Sequence, residues 1–134
     1  MTSNATRHDV HDRLSLVTSD CFAGLGPASV PGFDLIISNP PYVAERAIAG
    51  LQREVRDFEP RSALVSGEDG LTVIRRLLLE SRAYLKSGGL LIFEMGFDQY
   101  DAVRQLIDEN FWKLLEIYDD LQGIPRIVSL SKRG

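Results

Sequence analysis

Apolar positions along the chain fall into short runs separated by polar punctuation. Leu14-Ser15-Leu16-Val17-Thr18 alternates apolar and polar residues and predicts a short strand. After Ser19-Asp20-Cys21-Phe22 comes a Gly/Pro-rich loop from Gly24 to Gly32, and then Asp34–Ser38. That run is nearly all apolar, the pattern of a strand covered on both faces. From Ala44 to Ser66 the pattern turns irregular and charged. Loops of that length usually cover or form a binding site. Between Glu68 and Lys86 the helical period returns, with Leu71, Ile74, Leu78, Ser81 and Leu85 on one face. Gly88-Gly89 is expected to stop this helix, and the strand Leu90–Glu94 follows directly. Asp98 is a candidate cap for a second helix, with Val103, Leu106 and Ile107 on its apolar face and Tyr100 a further candidate. Leu114–Tyr118 and Ile127–Leu130 predict two closing strands around the turn Gln122-Gly123-Ile124-Pro125. So short a connection makes them antiparallel neighbours.

Alternation of apolar strands with helices indicates an α/β fold, with a mostly parallel sheet and an antiparallel strand near the C-terminal end. A length of 134 residues suits one domain with a real core. The net charge of −4 argues against a surface built as a whole to grip nucleic acid. Local basic clusters such as Arg53, Arg56 and Arg61 read as solvated faces. A single cysteine, Cys21, rules out an internal disulfide and fits a reducing compartment, so the cytoplasm is the expected location. No run is long enough to span a bilayer, and Met1 to Arg13 lacks the apolar core of a signal peptide.

The end of the second predicted strand is chemically unusual. Leu35-Ile36-Ile37 gives way to Ser38-Asn39-Pro40-Pro41-Tyr42. In open α/β sheets ligands gather at the carboxyl ends of strands. Asn39 offers an acceptor and an NH2 donor in one plane. Pro40 and Pro41 lack N–H groups, so the backbone there presents only carbonyl acceptors. Each proline also biases the residue before it toward extended geometry. Tyr42 adds a flat face for a planar group. Together they suit a substrate –NH2 group. Acceptors on both of its hydrogens would orient the nitrogen and favour its pyramidal, nucleophilic form without a strong base. Asn-Pro and Pro-Pro are also common turn formers, so a plain strand-ending turn is the alternative.

"SNPPY" after an apolar strand resembles the [DNS]-PP-[YFW] motif of S-adenosylmethionine-dependent amino-methyltransferases. The longer stretch "EVRDFEPRSALVSGEDGLTVIRRLLLESRAYLKSGGLLIFEMGFDQ" narrows this. It resembles the HemK/PrmC family, which methylates the side-chain amide of a glutamine in peptide-chain release factors. The resemblance runs from Asn4 to Arg133. It implies that Asn39, Pro40, Pro41 and Tyr42 hold the substrate glutamine and carry the catalysis, with Asn39 also near the cofactor. "SDCF" matches the family segment beside the adenine of S-adenosylmethionine, which makes Asp20 and Cys21 cofactor-site candidates. The family often has an aromatic residue where Cys21 stands, so adenine stacking is lost or passes to Phe22. Asp20 has a plain alternative as a strand-end turn residue. Glu54, Glu59 and Arg61 brace the long loop in this reading, and Glu94 is a secondary candidate. No metal is implied.

The resemblance also marks departures. Residues 1–134 show neither the family's N-terminal helical domain nor its glycine-rich cofactor strand-turn. Gly24-Leu25-Gly26 follows "SDCF", precedes Pro27 and opens no helix, so it does not supply that turn. The expected fold is therefore an incomplete Rossmann-like methyltransferase domain. Without the family's first two strands, the strand at Asp34–Ser38 would have one open side. Self-association through that edge, or marginal stability, is expected. Cofactor binding by this chain alone is expected to be weak or absent. Two other readings stand beside the protein-glutamine one: methylation of a nucleic-acid amine, and a truncated module that folds without catalysing.

Overall fold

The computed structural model describes residues 2–26, 32–50 and 60–134. A short helix α1, Thr2–Arg7, opens the chain. Strand β1 is Phe33–Ser38 and strand β2 is Leu85–Glu94. Between them lie the one-turn helix α2, Arg61–Leu64, and the long helix α3, Thr72–Tyr84. Helix α4, Tyr100–Leu106, leads to β3, Trp112–Asp119, and β4, Pro125–Lys132. The sheet order is β1-β2-β4-β3, with β1 parallel to β2 and β4 antiparallel to both of its neighbours. Strands β1, β2 and β3 therefore run one way and β4 alone runs back, as the sequence pattern predicts. The short β3–β4 turn is stapled by Asp120, whose carboxylate accepts from the N–H groups of Gln122 (2.8 Å) and Ile124 (3.1 Å).

The predicted helical face is the buried one. Leu71, Ile74, Leu78, Ser81 and Leu85 are all buried, and Leu77 joins them. They pack with Leu91 and Phe93 of β2, Val103 of α4, Trp112 of β3, and Val128 and Leu130 of β4. Each such side chain removed from water stabilises the fold by roughly 1.5–3 kcal/mol before the entropy of ordering is counted. Among the described residues no helix is long and apolar enough to cross a membrane.

Several expectations need correction. Leu14–Thr18 forms no strand, and Leu14, Leu16 and Val17 are exposed. Alternation makes a strand only where a neighbour accepts its hydrogen bonds, and no described strand pairs there. Strand β1 is not covered on both faces: Phe33 and Leu35 are exposed and Ile37 is 69% exposed, while Ile36 packs against the core. It lies at the sheet edge, the side left open in the expectation. Gly88-Gly89 does not stop α3, which ends at Tyr84 with the Leu85 N–H donating to the Ser81 carbonyl. The two glycines lie instead where β2 slips against β1, between the pairs Phe33–Leu85 and Leu35–Leu90. Gly88 has a φ of 76°, and a Cβ on Gly89 would sit 3.1 Å from the Phe33 carbonyl oxygen. Asp98 does not cap α4, because Gln99 holds the cap position and its side chain points elsewhere. Helix α3 begins only at Thr72, since Glu68 and Asp69 belong to a turn between two positive-φ glycines, Gly67 and Gly70.

Candidate active site

Strands β1 and β2 end side by side, with Ser38 paired to Phe93. Strand β4 begins at the same rim: Glu94 pairs with Ile127, and the Met95 N–H donates to the Arg126 carbonyl at 2.9 Å. Asn39–Tyr42 leaves the sheet at this rim, where α/β folds bind ligands. Asn39 is exposed and Pro40 is buried, with Pro41 and Tyr42 half-buried. Among the described residues nothing hydrogen-bonds the Asn39 side chain, and no donor reaches the carbonyls of Pro40 and Pro41.

Tyr42, in contrast, is held at both ends. Its carbonyl accepts from Gln99 Nε2 at 3.0 Å. Its hydroxyl lies 3.3 Å from Arg126 Nη2, which donates to it, and the guanidinium sits 5.5 Å from the ring centroid. Such a cation over a ring contributes about 0.5–1 kcal/mol where solvent still reaches it. Arg126 is fixed in turn, since Nη2 also donates to Glu94 Oε1 at 3.0 Å and Asp120 lies 3.9 Å from Nε. Glu94 thus acts on the turn through Arg126, which the sequence pattern alone does not reveal.

The chain after Tyr42 is zipped to the segment before α3. The Val43 N–H donates to the Leu64 carbonyl (2.8 Å), the Ser66 N–H to the Val43 carbonyl (3.0 Å), and the Glu45 N–H to the Gly67 carbonyl (2.9 Å). The buried Ser66 Oγ accepts from the Val73 N–H at 2.8 Å, in the first turn of α3. Asp69 accepts from the Leu71 N–H (3.0 Å) and pairs with Arg75 through both carboxylate oxygens (3.1 and 2.6 Å). Those Arg75 bonds, helped by the Leu71 N–H, lower its pKa to about 2. The "SGEDGL" segment therefore buttresses the turn. Glu54 and Glu59 lie outside the described residues, as does the side chain of Arg61.

The cofactor-side candidates lie against α3 and the core. Asp20 is held by Arg76 of α3, with Nη1 donating to both carboxylate oxygens at 3.1 Å. Arg76 also binds Glu80 at 2.9 Å. Cys21 is half-buried with a φ of 48°, and partial burial pushes its thiol pKa up, the opposite of a reactive thiolate. Phe22 is 8% exposed and stacks on Tyr84, with ring centroids 4.9 Å apart. It is a core residue. Gly24 closes a local turn, its N–H donating to Ser19 Oγ at 2.6 Å. No hydrogen bond or ion pair joins Asp20 or Cys21 to Asn39–Tyr42 among the described residues. Among the described residues Asp20 is paired with Arg76, Phe22 is buried, and the Asn39 amide at the rim has no partner.

No protein-family model matches the chain. Two release factor glutamine methyltransferases align with almost all of it. That of Rhodopirellula baltica is 40% identical over 96% of this chain and 43% of its own length. That of Nitratidesulfovibrio vulgaris is 39% identical over 93% of this chain and 42% of its own length. The chain is similar to these members of the HemK/PrmC family over nearly all of its own length. It spans less than half the length of these relatives, matching their C-terminal part. The ribosomal protein L11 methylase from Lactobacillus delbrueckii subsp. bulgaricus superposes with a TM-score of 0.62, at 16% identity. That overlap covers 99% of this chain and 51% of the methylase, and it shows a Rossmann-like methyltransferase fold. Gln99 and Arg126 were not singled out from sequence, although "EMGFDQ" lies within the stretch that carries the family resemblance.

Proposed function

We propose that this chain forms the substrate-receiving part of an S-adenosylmethionine-dependent methyltransferase acting on a glutamine side-chain amide of a peptide-chain release factor. The observation that carries this reading is the contrast within one turn: Tyr42 is tied down at its carbonyl and hydroxyl, while the Asn39 amide and the Pro40 and Pro41 carbonyls stay free. A glutamine NH2 group can donate its two hydrogens to such acceptors. The amide lone pair is delocalised and poorly nucleophilic. Acceptors on both hydrogens would draw density toward nitrogen and fix its direction of attack, which needs orientation rather than a strong base. Asn39, Pro40 and Pro41 supply the acceptors in this reading, and Tyr42 supplies the wall.

The methyl donor would be S-adenosylmethionine. Asp20 and Cys21 do not complete a site for it among the described residues, so this chain alone is expected to bind it weakly or not at all. Tight stoichiometric binding in a calorimetric titration would contradict that expectation. The cytoplasm, where release factors act, is the proposed location. The free edge of β1 supports self-association of this chain as well, with Phe33, Leu35 and Ile37 exposed beside it.

Labelled S-adenosylmethionine offered with release factor, RNA and DNA tests substrate choice. Any transfer the chain supports should reach release factor and disappear in Asn39→Ala. Label on nucleic acid instead would favour the nucleic-acid amine reading, and undiminished transfer by Asn39→Ala would remove Asn39 from its role.

A further inference from the structure

Gln99 is a polar side chain buried to 7% exposure, and all its bonding atoms are engaged. Its Oε1 accepts from the Gly96 N–H at 2.8 Å, while Nε2 donates to the Tyr42 carbonyl at 3.0 Å and to the Gly70 carbonyl at 3.3 Å. Three distant stretches meet on this one amide: the turn after β1, the turn before α3, and the turn after β2. Two glycines make the room. A Cβ on Gly70 would lie 2.7 Å from Gln99 Nε2, and one on Gly96 would lie 3.0 Å from the Gln99 side-chain carbonyl carbon. Gly70 also has a φ of 77°, a left-handed conformation that favours glycine.

We propose that Gln99 is a positioning residue for the amide cup, which holds Tyr42 so that Asn39, Pro40 and Pro41 present a fixed set of acceptors. This inference rests on the glutamine-receiving reading above. At its start the turn is anchored by the pairing of Ser38 with Phe93, and at its end by the bond from Gln99 to the Tyr42 carbonyl. Between those anchors the proline rings fix φ at two of the three residues. Little freedom remains for the Pro40 and Pro41 carbonyls. Gln99 also removes the Tyr42 carbonyl from the acceptors open to a substrate. Without that bond the turn would gain an acceptor and lose an anchor, and selectivity for an amide over a carboxylate would fall. A glutamate in the substrate brings acceptors to face the Asn39 Oδ1 and the Pro40 and Pro41 carbonyls, so a cup that holds those acceptors in place disfavours it.

The test compares binding of a release-factor peptide carrying glutamine with binding of the same peptide carrying glutamate. Gln99→Glu keeps the oxygen that accepts from Gly96 and loses the donor to Tyr42 and Gly70. The preference for glutamine over glutamate should drop about 10-fold, the equivalent of about 1.4 kcal/mol. A purely structural role would weaken both peptides alike and leave the ratio unchanged, which would overturn the proposal. If Gln99→Glu fails to fold, Gln99→Asn keeps the amide but shortens its reach by one carbon and carries the same expectation. A wild-type chain with no glutamine preference would overturn the glutamine-receiving reading and this proposal with it. A wild-type preference that survives in the folded variant would overturn the Gln99 proposal alone.

Discussion

The two sides of the sheet are built differently. Toward the C-terminus, β2, β4 and β3 close over α3 and α4, and Leu91, Phe93, Trp112, Val128 and Leu130 are almost wholly buried. Toward the N-terminus, β1 ends the sheet, and Leu14, Leu16, Val17, Phe33, Leu35 and Ile37 stand exposed. Both sides carry large apolar side chains, so hydrophobicity alone does not decide burial. A neighbouring element does. The site sits on the border between them: Tyr42 is gripped from the closed side by Arg126 and Gln99, and Asn39 is free.

Substitutions on the two sides should differ in size. Trp112→Ala, in the closed half, should destabilise the fold by about 3–5 kcal/mol in denaturant unfolding. Leu16→Ala, in the open half, should change stability by no more than ~0.5 kcal/mol. Equal losses would mean that the exposed segment is packed in solution. A smaller change tests the closed half from within. Among the described residues Ser81 Oγ is buried with no hydrogen-bond partner, so Ser81→Ala should raise stability by roughly 1 kcal/mol, seen as a higher unfolding midpoint. A loss would show that the hydroxyl has a partner in solution.

At the open edge the effect should appear in association rather than stability. Wild-type chain should sediment as concentration-dependent oligomers, and Ile37→Lys should shift it to monomer by placing a charge on the free edge. A wild-type chain that stays monomeric at every concentration, with a cooperative, high melting transition, would remove the edge proposal. The smallest effect concerns Asp69. Its pKa is lowered to about 2 from 3.8, so it binds its proton less readily folded than unfolded. Its stabilising contribution is therefore present above the unfolded value and lost as pH falls through the folded one. The midpoint difference between wild type and Asp69→Asn should close between about pH 5 and pH 2. A difference constant across that range would contradict the Arg75 pairing.

Much of the closed half was legible in the sequence because period and burial agree there. The spacing of Leu71, Ile74, Leu78 and Ser81 gave the buried face of α3, and the short turn at Gln122–Pro125 gave the antiparallel β3–β4 pair. Alternation misled at Leu14–Thr18, since a strand pattern carries no information about whether a partner exists. Gly88-Gly89 was read as a helix stop, yet it serves a register slip, and Gly70, which the pattern does not single out, makes room for Gln99. The cup residues were visible because two adjacent prolines at a strand end are chemically conspicuous. Their supports were not: Arg126 lies 84 residues from Tyr42, and a glutamine before a helix looks like an ordinary surface residue.

The most direct test of the cup is to measure how tightly the chain binds a release-factor peptide carrying glutamine against its glutamate twin, in wild type and in Asn39→Ala. The account predicts a wild-type preference for glutamine of about 10-fold or more, the equivalent of one well-placed hydrogen bond, and its loss in the variant. Equal binding of both peptides by wild type, or a preference untouched by Asn39→Ala, would contradict it.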